Sequence, residues 1–162
     1  MSKIVLAGAA IASVMVLACT MDVLTAVPGV GEPRTVTLVG AGDIAGCDFK
    51  ADRKTARPLG RIPGTVFTLG DNVYPEGTRA QFRNCYDPTW GRHKNRTRPT
   101  AGNHEYDTSS GAKPYFDYFG WRAGKATRGY YSYDRGAWHI VALNSNCKEV
   151  GGVSGAPPKG AG

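Results

Sequence analysis

A chain of 162 residues can bury the core of one modest domain but is too short for two. With 20 Lys and Arg against 13 Asp and Glu it carries a formal charge of +7, which favours anionic partners but also simply keeps a protein soluble. Its 4 cysteines have none of the spacings of a Cys-based metal site, so that class of site is excluded.

The first residues are predicted to be an export signal. Lys3 precedes an uncharged, mainly apolar run at 4–18, which has the length of a signal peptide and is short for a membrane span. The run ends in Leu-Ala-Cys at Cys19, which resembles the bacterial lipobox. Residues 1–19 are therefore expected to be a lipoprotein-type signal peptide with lipidation at Cys19, and secretion after cleavage near Ala26 is the alternative.

The following Pro- and Gly-rich stretch at 20–33 is predicted to be a flexible tether. Loss of residues 1–19 removes Lys3 and no acid, so the formal charge falls from +7 to +6. We expect an exported protein, either a cell-envelope lipoprotein or a secreted one, that meets the membrane only through its lipid.

Two apolar strands are predicted to end in Gly-Asp. The first runs from Val36 into Asp43, and the second, at 65–69, is followed by the turn at Asp71. Between them we expect a helix within 47–61, opened by a carboxylate and stopped or kinked by a proline. A right-handed βαβ crossover would bring both aspartates to one edge of the sheet. The candidate caps are Asp48 and Asp52, and the proline is Pro58.

Downstream, Thr78 and Gln81 have the spacing of a capping box and open a predicted helix to about Tyr86. The basic stretch at 91–98 lacks interleaved aromatic residues, so we expect a solvated loop and no specific binding of nucleic acid. A short extended piece at 99–101 then ends in polar, ligand-capable side chains, Asn103 and His104.

The last third of the chain is predicted to form core and a hairpin. Residues 115–121 are dense in aromatics and indicate core or a pocket wall. The strands at 130–134 and 138–144 flank Arg135-Gly136, and His139 is expected to pack within the sheet. Residues 151–162 are rich in glycine and are predicted to be a disordered tail. Beyond Cys19 the cysteines are odd in number, so at least one lacks an intramolecular partner: Cys47, Cys85 and Cys147.

The order of these motifs resembles the calcineurin-like metallophosphoesterases, and within them the purple-acid-phosphatase-like branch. The motifs are Gly-Asp at Asp43, then Gly-Asp-Asn-Val-Tyr at 70–74, then Gly-Asn-His-Glu at 102–105. The wider superfamily has Asp-x-His in the first motif, where this chain has Ala45. The purple branch also lacks that histidine, and a tyrosine placed like Tyr74 supplies the missing ligand.

The resemblance implies a site with two metal ions that hydrolyses phosphate monoesters or diesters. Asp43 and Tyr74 would hold the first metal, Asp71 would bridge both, and Asn103 would ligate the second. A phenolate favours Fe(III) at the first position, with Fe, Zn or Mn at the second. His104 would stand beside the leaving oxygen as acid or electrostatic stabiliser, while Glu105 is expected to be structural rather than catalytic.

The implied fold is an α/β fold, the layered α/β sandwich of metallophosphoesterases, with βαβ units carrying ligands at the C-terminal strand ends. Residues 34–150 would be its N-terminal half. The family's second half holds three more histidine ligands, and none of His93, His104 and His139 stands at such a position.

The site is therefore expected to be incomplete and the chain weakly active or inactive. Two non-enzymatic alternatives remain, a truncated remnant and an envelope-attached basic binding protein.

Overall fold

The structure is a computed structural model, and it describes residues 35–48 and 50–150. The predicted signal peptide with Cys19, the tether and the tail at 151–162 lie outside the described residues. The described part has a mixed α/β fold with small parallel and antiparallel sheets.

Two chain segments with the same layout form its centre. The first contains β1 (Leu38–Ala41) and β2 (Ala45–Gly46), and the second contains β3 (Thr65–Thr68) and β4 (Val73–Tyr74). β1 pairs with β3 and β2 pairs with β4, both in parallel. The turn from β1 to β2 and the turn from β3 to β4 also run side by side, since Ile44 N–H donates to the Asp71 carbonyl at 3.0 Å. The two Gly-Asp turns are therefore adjacent.

A helix, α1 (Ala51–Leu59), connects the two segments, as the βαβ prediction requires. The prediction of its cap is wrong. Lys50 occupies the N-cap without a capping side chain among the described residues, while Asp52 lies buried in the first turn. Pro58 lies inside the helix, one residue before its end, and lacks the N–H that would bond to the carbonyl four residues earlier.

β5 (Thr97–Arg98) pairs in parallel with β3 and completes a three-stranded sheet in the order β1-β3-β5. It begins two residues before the predicted extended piece. The stretch expected to be a solvated loop is largely a 3-10 helix, Trp90–Arg96, so that prediction is wrong. Arg96 explains the order, because its guanidinium donates to the carbonyls of Ile62 (3.0 Å) and Gly64 (2.8 Å) just ahead of β3.

An aromatic core lies beside the sheets. The capping box at Thr78 opens α2 (Arg79–Gln81), which continues as a π-helix, Phe82–Tyr86. These helices pack against α3 (Lys113–Phe119), as shown by ring centroid distances of 5.8 Å from Phe82 to Phe119 and 5.6 Å from Tyr86 to Phe119. The prediction that residues 115–121 form core is confirmed for Tyr115 and Phe119, whereas Trp121 is exposed.

The predicted hairpin is confirmed. β6 (Tyr131–Arg135) pairs antiparallel with β7 (Trp138–Ala142), and the two-residue loop begins with Gly136 at φ 58°, as in a type II′ turn. The prediction for His139 is wrong, because its side chain is 63% exposed and its Nδ1 lies 2.7 Å from Asp134 Oδ1.

One disulfide ties the first segment to the π-helix, joining Cys47 and Cys85 across 38 residues. Cys147 is exposed and unpaired within the described residues. In the part of the chain that the structure describes, no helix is both long and apolar enough to cross a membrane.

Candidate functional site

The site is built on two aspartates in unusual backbone conformations. Asp43 lies two residues after the end of β1 and Asp71 three residues after the end of β3. Their φ values are 52° and 48°, in the left-handed region that favours glycine. Non-glycine residues held there cluster at functional sites, because the surrounding structure must stabilise a strained backbone. The two turns run side by side, since Asp43 N–H donates to the Gly70 carbonyl (3.3 Å) and Ile44 N–H to the Asp71 carbonyl (3.0 Å).

Tyr74, at the end of β4, joins the two carboxylates. Its hydroxyl donates to Asp43 Oδ1 and lies 3.1 Å from Asp71 Oδ2. Two acceptors on one hydroxyl are at most two hydrogen-bond lengths apart, about 6 Å. The structure thus brings together Asp43, Asp71 and Tyr74, three of the four residues that the sequence suggested as metal ligands.

The electrostatics of this cluster depend on the phenol proton. Burial, then the hydrogen bonds to Asp43 and Asp71, raise the pKa of Tyr74 above its ordinary value. The phenol therefore keeps its proton at neutral pH and screens two carboxylates that would otherwise repel each other.

His104 lies directly beside this cluster. Its backbone N–H donates to Asp71 Oδ1 (3.2 Å), and its ring packs edge-on against the Tyr74 ring with centroids 4.4 Å apart. The ring Nδ1 lies 2.5 Å from the Pro75 carbonyl oxygen and 3.6 Å from Asp107 Oδ2. Both neighbours are acceptors, so Nδ1 carries a proton and Nε2 is the nitrogen left to exchange one with a ligand.

Asn103 is less closely engaged. It is exposed and precedes the short 3-10 helix His104–Tyr106. It lines a cavity of about 380 Å³ together with Asp107 and residues 145–149. Among the described residues its side chain makes no hydrogen bond to Asp43, Asp71 or Tyr74. Asn103 is therefore adjacent in the chain to His104, which contacts the cluster, but its own side chain is not part of the cluster.

Glu105 holds the second and third motifs together. It is fully buried, and its Oε1 accepts from the backbone N–H groups of Asn72 (2.8 Å) and Val73 (3.3 Å). Its Oε2 accepts from Gly102 N–H (2.7 Å) and Asn72 Nδ2 (3.3 Å). Burial raises the pKa of Glu105 and the four hydrogen bonds oppose that rise. The side chain is thus a structural clamp, in agreement with the expected structural role.

Gly102 is required by a close approach. A Cβ atom at this position would lie 2.0 Å from Asp71 Oδ1. The third motif can therefore pack directly on the Asp71 carboxylate because residue 102 has no side chain.

The donor set of the cluster suits a hard or borderline cation, because it consists of two carboxylates and a phenol. A cation bound there would replace the phenol proton between the two carboxylates. Within the described residues no group of three or more His, Cys, Asp and Glu has metal-binding geometry, so carboxylates alone do not complete a site. Further donors would have to be the phenol, an amide or water.

No protein-family model, curated protein or solved structure matches this chain.

Sequence reasoning overlooked several residues that shape the site. Asn72, which follows Asp71 in the second motif, is fully buried and donates through Nδ2 to the Thr100 carbonyl at 2.9 Å. The carbonyl of Pro75 and the carboxylate of Asp107 orient His104, and nothing in their local sequence indicates this. The signal available for Asn72 was its position next to Asp71 in a strand-ending motif.

Proposed function

We propose that this chain carries the site of a metal-dependent phosphoesterase that hydrolyses phosphate monoesters or diesters. The observation that supports the proposal most is the Tyr74 hydroxyl, which bonds the carboxylates of both Asp43 and Asp71 at the ends of adjacent parallel strands. This arrangement agrees with the resemblance to the purple-acid-phosphatase-like branch of the calcineurin-like metallophosphoesterases. The fold would then be the N-terminal half of their layered α/β sandwich.

Two metal ions would be shared among the four candidate ligands. Asp43 and Tyr74 would hold the first, suited to Fe(III), Asp71 would contact both, and Asn103 would serve the second, suited to Fe, Zn or Mn. Bound cations would neutralise the charge of the phosphoryl group and activate water for its attack. We also propose that the protein acts outside the cytoplasm, anchored by lipid at Cys19 or secreted.

The protein's own groups prepare the site for an anionic ester. His104 N–H and Tyr74 orient the Asp71 carboxylate from both of its oxygens. In its imidazolium form, His104 donates the Nε2 proton to the leaving oxygen, while the Nδ1 bond to Pro75 fixes the ring. Glu105 keeps both loops in register during this proton transfer.

The same geometry predicts weak activity. The second cation would have two protein ligands, Asp71 and Asn103, and Asn103 is exposed. A loosely held cation does not fix the geometry of attack, so turnover should be slow.

The test uses the full chain with Fe, Zn or Mn and bis-p-nitrophenyl phosphate or p-nitrophenyl phosphate. We expect slow hydrolysis that Asp71→Asn abolishes and Asp134→Asn leaves unchanged, since Asp134 lies on the hairpin. Added Fe(III) should give a visible phenolate charge-transfer absorption that Tyr74→Phe removes and Tyr130→Phe keeps. Hydrolysis that persists in Asp71→Asn, or an absorption that persists in Tyr74→Phe, would refute the assignment.

A further inference from the structure

A second polar cavity lies between α1 and the 3-10 helix Trp90–Arg96, and we name it the basic cleft. Its volume is about 470 Å³, within the range of small-molecule sites. Its ionisable lining consists of Arg53, Arg57, Arg92 and His93, and none of the described residues that line it is a carboxylate.

The arginines of the basic cleft are not all explained by interactions within the protein. Within the described residues the side chains of Arg53, Arg57 and Arg92 make no ion pair and donate no hydrogen bond, in contrast to the side chain of Arg96 with its backbone carbonyl acceptors. Arg53 and Arg57 are four residues apart on α1, where like charges repel. Arg57 lies in the last turn, where its charge offsets the carbonyl end of the helix. The remaining positive charge is uncompensated.

The walls of the basic cleft are held in place by contacts that do not use the arginines. Trp90 Nε1 donates to Thr55 Oγ1 (3.0 Å) and so joins the 3-10 helix to α1. Thr89, part of the lining, donates through Oγ1 to the carbonyls of Cys85 (3.2 Å) and Tyr86 (3.1 Å). The side chains of Arg53, Arg57 and Arg92 are exposed, and they extend from a backbone framework that is already fixed. This lowers the backbone part of the entropic cost of binding a ligand.

His93 experiences the positive field of this region. Burial, then the charges of Arg96 and Arg92, lower the pKa of His93, and a hydrogen bond to the Ala56 backbone opposes the change. A neutral imidazole has one nitrogen that donates and one that accepts, so at pH 7 His93 can still form a hydrogen bond with a ligand.

The basic cleft is separate from the cluster of Asp43 and Asp71. Those aspartates follow the carboxyl ends of β1 and β3, whereas α1 returns the chain to the start of β3. The bond from Arg96 to the Gly64 carbonyl shows that the 3-10 helix also ends near that start. Among the described residues that line the basic cleft, none belongs to the cluster of Asp43, Asp71 and Tyr74.

We propose that the basic cleft binds a small anion that carries two or more phosphate groups. Guanidinium forks match phosphate oxygens in pairs, so three arginines around one cavity suit an anion with several such oxygens. The proposal does not rest on the proposed phosphoesterase function.

The test is calorimetric titration of the full chain with inorganic pyrophosphate, at 0.15 M salt and with EDTA present. We expect saturable binding with one site per chain. Arg53→Gln combined with Arg92→Gln should raise Kd by about tenfold or more, because charge-assisted hydrogen bonds are lost. Arg83→Gln combined with Arg128→Gln removes the same charge from exposed arginines outside the cleft and should leave Kd within about twofold.

Further variants separate the possible explanations. Arg53→Lys with Arg92→Lys keeps the charge but loses the forks, so its Kd should lie between those of the native chain and the Gln pair. Asp71→Asn should bind pyrophosphate like the native chain. Equal loss in the control pair would show nonspecific attraction, and tighter binding by Asp71→Asn, which removes a repelling negative charge, would place the anion at the carboxylate cluster. Sulfate binding as tight as pyrophosphate binding would also overturn the proposal.

Discussion

At the scale of single residues, the candidate site combines two unfavourable features, and one side chain relieves the second of them. Asp43 and Asp71 each adopt a left-handed backbone, which costs on the order of 1 kcal/mol per residue. Their carboxylates also lie close enough to repel each other. The Tyr74 hydroxyl compensates for the second cost by bonding both. Features this unfavourable persist where the surrounding packing enforces them, and here Glu105 and Gly102 do so.

Glu105→Gln is predicted to lower the free energy of unfolding by about 3 kcal/mol. Each carboxylate oxygen of Glu105 faces two N–H donors. A glutamine must turn its NH2 group toward one of these pairs, whichever way the amide is oriented, and buried donors lose their acceptor. Denaturant unfolding of both chains measures the difference.

Glu76→Gln is the matched control, since Glu76 is exposed in the loop after β4, and it should change the stability by less than about 0.5 kcal/mol. A Glu105→Gln chain as stable as the native one would show that the clamp contributes little.

At the scale of elements, the sequence was informative where local chemistry decides structure. Gly-Asp turns after apolar runs predicted two parallel strands with aspartates at their ends, and Thr78 with Gln81 predicted a helix start. The sequence was misleading where long-range contacts decide. Arg96 orders the basic stretch through carbonyls more than thirty residues away, and no local pattern reveals such partners. The apolar neighbours of His139 in the strand predicted that it packs within the sheet, yet the face of the hairpin that carries its side chain is exposed.

The same limit applies to the candidate site. The approach of Asp43 to Asp71 follows from the handedness of a βαβ unit, which sequence reasoning can use. The four donors around Glu105 come from two separate stretches of the chain, at 72–73 and at 102, so the sequence could suggest a structural role but not its geometry.

The carboxylate of Asp117, at the contact between α2 and α3, should make the free energy of unfolding depend on pH. Asp117 accepts from Lys113 Nζ (2.8 Å) and from Arg79 (2.5 Å), and these bonds, the one to Lys113 first, lower the pKa of Asp117 below its ordinary 3.8. A depressed pKa in the folded state contributes stability above pH 3.8 that is lost as the pH falls through the folded pKa. Because the carboxylate is partly exposed, the contribution should be below about 1 kcal/mol.

Asp117→Asn should therefore be less stable than the native chain at pH 7, and the two should converge as the pH falls below the folded pKa of Asp117. Thermal unfolding from pH 2 to pH 7 measures the difference. Arg79→Gln combined with Lys113→Gln should show the same convergence, because it removes the partners instead of the carboxylate. A difference that stays constant with pH would exclude the ion pair as its cause.

At the scale of the whole molecule, metal binding should appear as stability, since a cation that binds the folded chain alone shifts the unfolding equilibrium. At a concentration ten times Kd the shift is about 1.4 kcal/mol, or roughly 5 °C in the midpoint of a chain of this size. We predict such a rise with Mn(II) or Zn(II), measured by scanning calorimetry, and its reversal by EDTA.

Asp43→Asn is the informative variant for this prediction. Asp43 is exposed, and its Oδ1 accepts a hydrogen bond from the Tyr74 hydroxyl. The side-chain oxygen of an asparagine can accept the same hydrogen bond. Asparagine also tolerates the left-handed backbone. Without metal the variant should therefore be as stable as the native chain, or a few tenths of a kcal/mol more stable because repulsion with Asp71 is relieved. With metal it should lose most of the rise, whereas Asp134→Asn should keep it. A rise of equal size in Asp43→Asn would mean that the cation binds elsewhere.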